Sequence, residues 1–323
     1  MAQYYVSAVS LIFSPTFASM NIPQITLSPT GPTLSRIVAG TMTWGEWGSG
    51  FNAVQMAELM AHCLELGITT FDHADIYGHY STEETFGQAL SELGTSVRAQ
   101  IQLVTKCGIR LESHRRPDNR LKSYDSSRDY IIESAERSLK NLKTDYLDLY
   151  LIHRPSPLMD PNEVAEAFSR LEQAGKVKSF GASNFTPSQF DLLNSCTNLV
   201  TNQVECNPIQ HQPMIDGTFD QLMIKNIHPM VWSPIGGSKY FKGEGTAVLR
   251  LRDTINTMAE KYGNVSEDVI LLAWLLQHPS KPLPVVGTTK KERLSATQTA
   301  VSLTLEQQDW FAILEAATGR EVA

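Results

Sequence analysis

The strongest constraint on this chain is a repeated alternation of short apolar runs with amphipathic, capped segments. Apolar runs fall at 36–40, 69–72, 101–106, 146–152, 177–182, 200–205, 228–233 and 283–287, lengths that suit strands. Helical signals lie between them. Asp160, Pro161 and Glu163 supply an N-cap acceptor, a proline at N1 and a glutamate at N3. Val164, Ala167, Phe168 and Leu171 follow on one face, and Gly175 suits the stop. Thr186 to Gln189 repeats the arrangement. Asn52 opens a helix ending near Gly67, and Ser126 or Ser127 precedes one with Ile131, Ile132, Ala135, Leu139 and Leu142 on one face. Strands separated by helices cannot pair through hairpins, so the pattern predicts right-handed crossovers and a parallel sheet. Eight such units predict closure into a (β/α)8 barrel. No G-x-G-x-x-G follows the first run, against an open dinucleotide-binding sheet.

A length of 323 residues fits one such barrel with extra helices, expected over 22–323. Residues 1–21 are expected to be a disordered or non-native N-terminal extension, with Met20 as an alternative start; residues 1–19 contain no Lys or Arg, so a signal-peptide n-region is missing. A net charge of −7 disfavours nucleic acid and anionic membranes as partners. No apolar run approaches the ~20 residues of a membrane span. The four cysteines form no C-x-x-C pair, as expected of free thiols in a reducing cytoplasm. The basic cluster 114–116 reads as a solvated loop.

A (β/α)8 barrel places its chemistry at the C-terminal ends of its strands. There the second run presents Asp72 and then Tyr77, the third ends on Lys106, and the fourth ends on His153. An acid, a phenol, an ammonium and an imidazole converge on one mouth. Reducing a carbonyl by hydride needs a proton donor at the developing alkoxide. A tyrosine with a pKa near 10 donates poorly at neutral pH, and a nearby ammonium is expected to lower that pKa. Lys106 can do this for Tyr77, Asp72 can hold Lys106, and His153 can orient the carbonyl oxygen. A metal site at Asp72, His73 and Asp75 is disfavoured, because strand alternation points His73 away from Asp72.

This order, with Asp72 and Tyr77 five residues apart, resembles the catalytic tetrad of the aldo-keto reductases, closest to a group of bacterial oxidoreductases. Family-like stretches continue at Gly181–Phe185, Asn202–Glu205, Trp232–Pro234 and Gly287–Arg293. The resemblance covers about 22–318 and implies an NADPH-dependent enzyme acting on a small-molecule carbonyl substrate. It implies Tyr77 as general acid, tuned by Lys106 and Asp72, with His153 orienting substrate. It further implies Ser183, Asn184 and Gln203 at the nicotinamide carboxamide and Trp232 stacked on the ring. Ser233, Gly236 and Gly237 match the pyrophosphate strap; Thr288, Lys290 and Arg293 match the surroundings of the adenosine 2′-phosphate. Two positions depart from the family pattern: Gly287 stands where several members have a basic residue, for which Lys290 can compensate, and the adenine-binding Asn, Gln or Glu expected near Thr297 is absent, although Gln298 follows. With little chain after the last helix signal, substrate specificity is expected to come from 107–126 and 234–246, the latter lining the pocket with Tyr240 and Phe241. A second function class, a cofactor-sensing regulatory subunit, keeps the same fold and binds NADPH with little turnover.

Overall fold

The computed structural model describes residues 21–321; the expectations for residues 1–20 lie outside them. The predicted barrel is present. Its strands are β1 (Val38–Gly40), β2 (Thr70–Asp72), β3 (Gln102–Cys107), β4 (Leu149–Ile152), β5 (Phe180–Ser183), β6 (Asn202–Glu205), β7 (Met230–Trp232) and β8 (Leu283–Val286). Each pairs in parallel with the next, and β8 closes on β1 through Val285 opposite Val38 and Val286 opposite Ala39.

Alternation along the strands divides the core. Val38, Val104, Leu149, Leu151, Met230, Leu283 and Val285 fill the barrel interior. Phe71, Leu103, Cys107, Tyr150, Ile152 and Ala182 point outward and pack with the apolar stripes of the helices. The filled interior leaves no room for chemistry except at the rims. An antiparallel hairpin, Gln24–Thr26 with Thr33–Ser35, brings Leu27 and Leu34 into the interior cluster. The sequence reading missed this hairpin, although Pro29, Gly31 and Pro32 mark its turn.

The caps explain where helices begin. Asn52 and Gln55 form a reciprocal capping box, as do Thr186 and Gln189. Asp160 caps through Asn162 N at 2.8 Å, but Glu163 does not return the bond; its carboxylate accepts from Arg128 N at 3.2 Å on the neighbouring helix. Several strands begin later than their apolar runs. Leu147 makes only an isolated bridge to Val177, because the intervening Asp148 carboxylate takes Leu103 N at 3.0 Å and Arg98 at 2.9 Å. The long segments acquire structure of their own: Ile109–Arg110 pairs with Ser123–Tyr124, and Gly237–Phe241 forms a short helix after β7. No helix of the described residues is long and apolar enough to cross a membrane.

Candidate active site

The alternation that fills the barrel also aims the mouth residues. Lys106 follows inward-facing Val104 by two, and His153 follows inward-facing Leu149 and Leu151. Asp72 lies beyond outward-facing Phe71. The result is a buried cluster centred on the Lys106 ammonium. Its Nζ donates to Asp72 Oδ2 at 2.6 Å, to the His73 carbonyl at 2.7 Å and to Tyr77 Oη at 3.4 Å. Lys106 is 1% exposed and Asp72 2%, so all three ammonium donors are spent inside the protein. The His153 ring meets the Tyr77 ring edge-on at 6.2 Å. Tyr77 is set by a tight turn in which Gly78, His79 and Tyr80 all adopt positive φ. Gly78 is required there twice over: its φ is +57°, and a Cβ would stand 2.5 Å from Thr82 Oγ1. As the alternation predicted, His73 points away from Asp72, bonding Thr41 Oγ1 at 2.8 Å and lying against Phe86.

Burial is the largest influence on the Tyr77 phenol and raises its pKa; Lys106 pulls the other way without reversing it. The expected net lowering is therefore not found. The outcome still suits an acid, because a raised pKa keeps the proton in place at neutral pH while the ammonium stabilises the phenolate left after transfer. For Lys106, burial lowers the pKa, but Asp72 and Tyr77 outweigh it and the net direction is up. His153 is driven well below the usual imidazole range by burial, then by the positive charges of Lys106, Arg154 and Lys122. It is neutral at physiological pH. Its Nδ1 is buried without a partner. An orphaned lone pair costs less than an orphaned N–H, which assigns the proton to Nε2, free to donate into the mouth.

The residues matched to the nicotinamide form a connected chain. Trp232 Nε1 donates to Asn184 Oδ1 at 3.0 Å, Asn184 Nδ2 to Ser183 Oγ at 2.8 Å, and Ser183 Oγ to the Gln203 carbonyl at 2.9 Å. Gln203 Nε2 donates to Asp72 Oδ1 at 2.8 Å. This bond, which the sequence reading did not foresee, joins the chain to the Lys106 cluster. Ser233, Gly236 and Gly237 all have positive φ at the start of the short helix after β7. Thr288 Oγ1 accepts from Lys290 N at 3.2 Å, and Lys290 is exposed at the start of the helix Lys291–Ser302. Arg293 is paired with Asp268.

The Aldo/keto reductase family profile matches residues 36–318. The chain belongs to the aldo-keto reductase family. Oxidoreductase YdhF of Escherichia coli (strain K12) is 46% identical over 93% of this chain and 99% of its own length. The 6-dehydroglucose reductase of Agrobacterium fabrum is 40% identical over 90% of this chain and 96% of its own length. Among solved structures, that of the thermostable aldo-keto reductase Tm1743 in complex with the inhibitor epalrestat superposes with a TM-score of 0.76 at 25% identity, covering 91% of this chain and 99% of that one. Family membership and these oxidoreductase relatives make the chain an NAD(P)H-dependent oxidoreductase.

This aldo-keto reductase carries mouth residues that sequence reasoning missed. Trp47, in the loop after β1, lies 6.0 Å from the Tyr77 ring and 5.4 Å from His79. Arg154 lies over Trp232 at 5.7 Å, and its charge reaches His153. The available signals were the aromatic pair Trp44 and Trp47 after the first strand and the arginine next to His153. Conversely, the segment after β7 does not line the substrate pocket with its aromatics. Tyr240 is wholly buried in the core beneath it, and Phe241 packs against Arg293 at 5.1 Å.

Proposed function

We propose that this chain, read as one domain over 22–323, reduces aldehydes or ketones to alcohols with NADPH, reversibly, and works in the cytoplasm. The observation that carries the reading is the buried Lys106 ammonium bonded to Asp72 and Tyr77 at the barrel mouth. A buried ion pair alone is weak support for catalysis, since structural pairs also perturb pKa values. Here the pair meets a phenol that retains its proton and a neutral imidazole whose ring lies edge-on to that phenol at 6.2 Å.

In this reading the His153 Nε2–H and the Tyr77 hydroxyl hold the carbonyl oxygen. Tyr77 gives its proton to that oxygen as charge develops, and Lys106 steadies the phenolate left behind. Asp72 keeps Lys106 in place. A bound NADPH supplies the hydride. The residues present suit it: Gln203 spends Nε2 on Asp72 and retains Oε1 as an acceptor for the carboxamide amino group, beside Ser183 and Asn184. Trp232 offers a ring face, Ser233 with the Gly236 and Gly237 backbone a site for the pyrophosphate, and Thr288, Lys290 and Arg293 a polar, cationic site for the adenosine 2′-phosphate. The free cysteines, three of them buried, support a reducing compartment. The likeness to 6-dehydroglucose reductase, with Trp47, His79 and Arg154 around the mouth, favours small polar, hydroxylated carbonyl substrates.

The test is steady-state NADPH oxidation with aldehydes, for the wild type and Tyr77→Phe. The variant should bind NADPH as the wild type does and lose at least the ~100-fold expected of a general acid. Turnover of an unactivated aldehyde by Tyr77→Phe at near the wild-type rate refutes the assignment. Tight NADPH binding by the wild type with no turnover of any aldehyde or ketone in the panel points instead to the cofactor-sensing reading.

A further inference from the structure

Arg293 is held from two directions. Its Nη2 donates to Asp268 Oδ1 at 2.7 Å and its Nε to Asp268 Oδ2, a two-pronged ion pair. The guanidinium carbon lies 5.1 Å from the centroid of the Phe241 ring. Asp268 belongs to the helix Glu267–Leu276, Phe241 to the short helix after β7, and Arg293 to the helix after β8. The Asp268 side chain is 12% exposed and that of Arg293 34%, so the carboxylate lies on the inner side of the pair and the guanidinium on the outer.

A guanidinium carries five N–H donors. Asp268 takes the edge formed by Nε and Nη2, while Nη1 makes no hydrogen bond among the described residues. Arg293 can still offer its outer edge to a phosphate, but a carboxylate already opposes its charge. The surrounding charges do not restore it. Lys290 and Lys291 are exposed and therefore strongly screened, Glu267 and Glu292 flank the pair in sequence, and Gly287 carries no cation. Discriminating a 2′-phosphate from a 2′-hydroxyl depends on donors whose charge the unphosphorylated cofactor leaves unmatched. In this protein Asp268 matches that charge beforehand.

We propose that Asp268 is a specificity-determining residue that holds down the preference for the 2′-phosphorylated cofactor, so that the enzyme accepts both NADPH and NADH. This rests on the reading of Arg293 as the 2′-phosphate contact. The wild type should favour NADPH by less than about tenfold in Kd, a difference that a fully available arginine would exceed.

The experiment titrates tryptophan quenching with NADPH and with NADH for the wild type, Asp268→Asn, Arg293→Met and the double variant. Asp268→Asn removes the negative charge at nearly constant shape. It should tighten NADPH about fivefold or more and leave NADH within about twofold. Arg293→Met should weaken NADPH about tenfold and spare NADH. In the double variant the Asn substitution should favour NADPH by less than it does beside Arg293, because the charge it releases is absent and only its own repulsion of the phosphate is removed. Thermal melting checks that each variant is folded, and Asp268→Ser serves in place of Asn if the latter is not. A loss of NADPH affinity in Asp268→Asn, or an equal change for both cofactors, overturns the proposal while leaving Arg293 as the phosphate contact if Arg293→Met remains selective. Equal weakening of both cofactors in Arg293→Met removes the reading of Arg293, and the role of Asp268 falls with it. A purely structural clasp between the two helices would shift the melting temperature and leave the NADPH-to-NADH ratio unchanged, which also overturns the proposal.

Discussion

Replacing Lys106 with methionine tests the electrostatics of the mouth most directly. Methionine keeps most of the volume and removes the charge with all three donors. Asp72 Oδ2 and the His73 carbonyl then lose partners at 2.6 and 2.7 Å. Asp72 is 2% exposed, so water cannot readily replace the ammonium. Breaking a buried pair by removing one partner costs about 3–5 kcal/mol. Gln203 Nε2 still donates to Asp72 Oδ1 at 2.8 Å, which places this site near the lower end, about 3 kcal/mol. At roughly 2.1 cal/mol/K of unfolding entropy per residue, each kcal/mol shifts the Tm of a 323-residue chain by about 1.5 °C, so a fall of about 4–5 °C is expected at pH 7. Adding Asp72→Leu should recover part of the stability, because the uncompensated carboxylate is gone while Gln203 Nε2 and the His73 carbonyl remain without their partners. Activity should not recover with it. The pH–rate profile supplies the second readout: Lys106 lowers the Tyr77 pKa against burial, so without it the alkaline limb of carbonyl reduction should move to higher pH as the rate falls. A variant that loses less than about 1 kcal/mol, or a double variant no more stable than Lys106→Met, would refute the buried-pair argument. An unchanged pH–rate profile would refute the coupling to Tyr77.

Two further substitutions probe the surroundings of that pair. Gln203→Leu should lower unfolding stability by about 1–3 kcal/mol by stripping a donor from Asp72, and should weaken NADPH and NADH alike, because the carboxamide is common to both; selective weakening of NADPH in cofactor titrations would contradict this. Asp75 has its pKa raised well above 3.8, first by burial and then by the nearby Glu83 carboxylate. A raised folded-state pKa adds stability below the unfolded value and loses it as pH rises toward the folded one. Asp75→Asn, which stays neutral, should therefore gain on the wild type in urea unfolding by about 1.4 kcal/mol per pH unit across that window, and a constant difference from pH 4 to pH 7 would rule the effect out.

Much of the architecture was legible because it follows from periods and punctuation. Inward alternation in Val104 and Lys106, and in Leu149, Leu151 and His153, is a property of any strand facing a filled barrel, so residue type at a strand end was enough to place the Lys106 cluster. The capping box at Thr186 is local in sequence and formed as expected, and Asn52 opens its helix as expected, through a capping box with Gln55. Glu163 had the right spacing but found a better use. Its carboxylate takes Arg128 N on a neighbouring helix, a donor left free by its place in that helix's first turn, and no one-dimensional pattern records that neighbour. The interior hairpin was missed for a different reason: its strands are three residues long and carry too few alternations to register as a period.

The pairings that tune the site share this second kind of illegibility. Gln203 and Asp72 are 131 positions apart, and Asp268 and Arg293 are 25 apart across two helices. Residue type told what each arginine, glutamine and carboxylate could do, but which partner each one meets depends on strand order around the closed barrel and on rotamers. The consequence is chemical. An arginine that the resemblance placed beside the 2′-phosphate turns out to be matched by a carboxylate, and a tyrosine expected to be acidified is held protonated by burial that outweighs its lysine. Both outcomes reverse or weaken an effect that the residue types alone implied. Each does so through desolvation or a second charge, and these depend on what surrounds a group in space. The catalytic proposal survives because it rests on which groups meet at the mouth. The cofactor preference is the more sensitive quantity, since it depends on how much of one guanidinium's charge Asp268 leaves available.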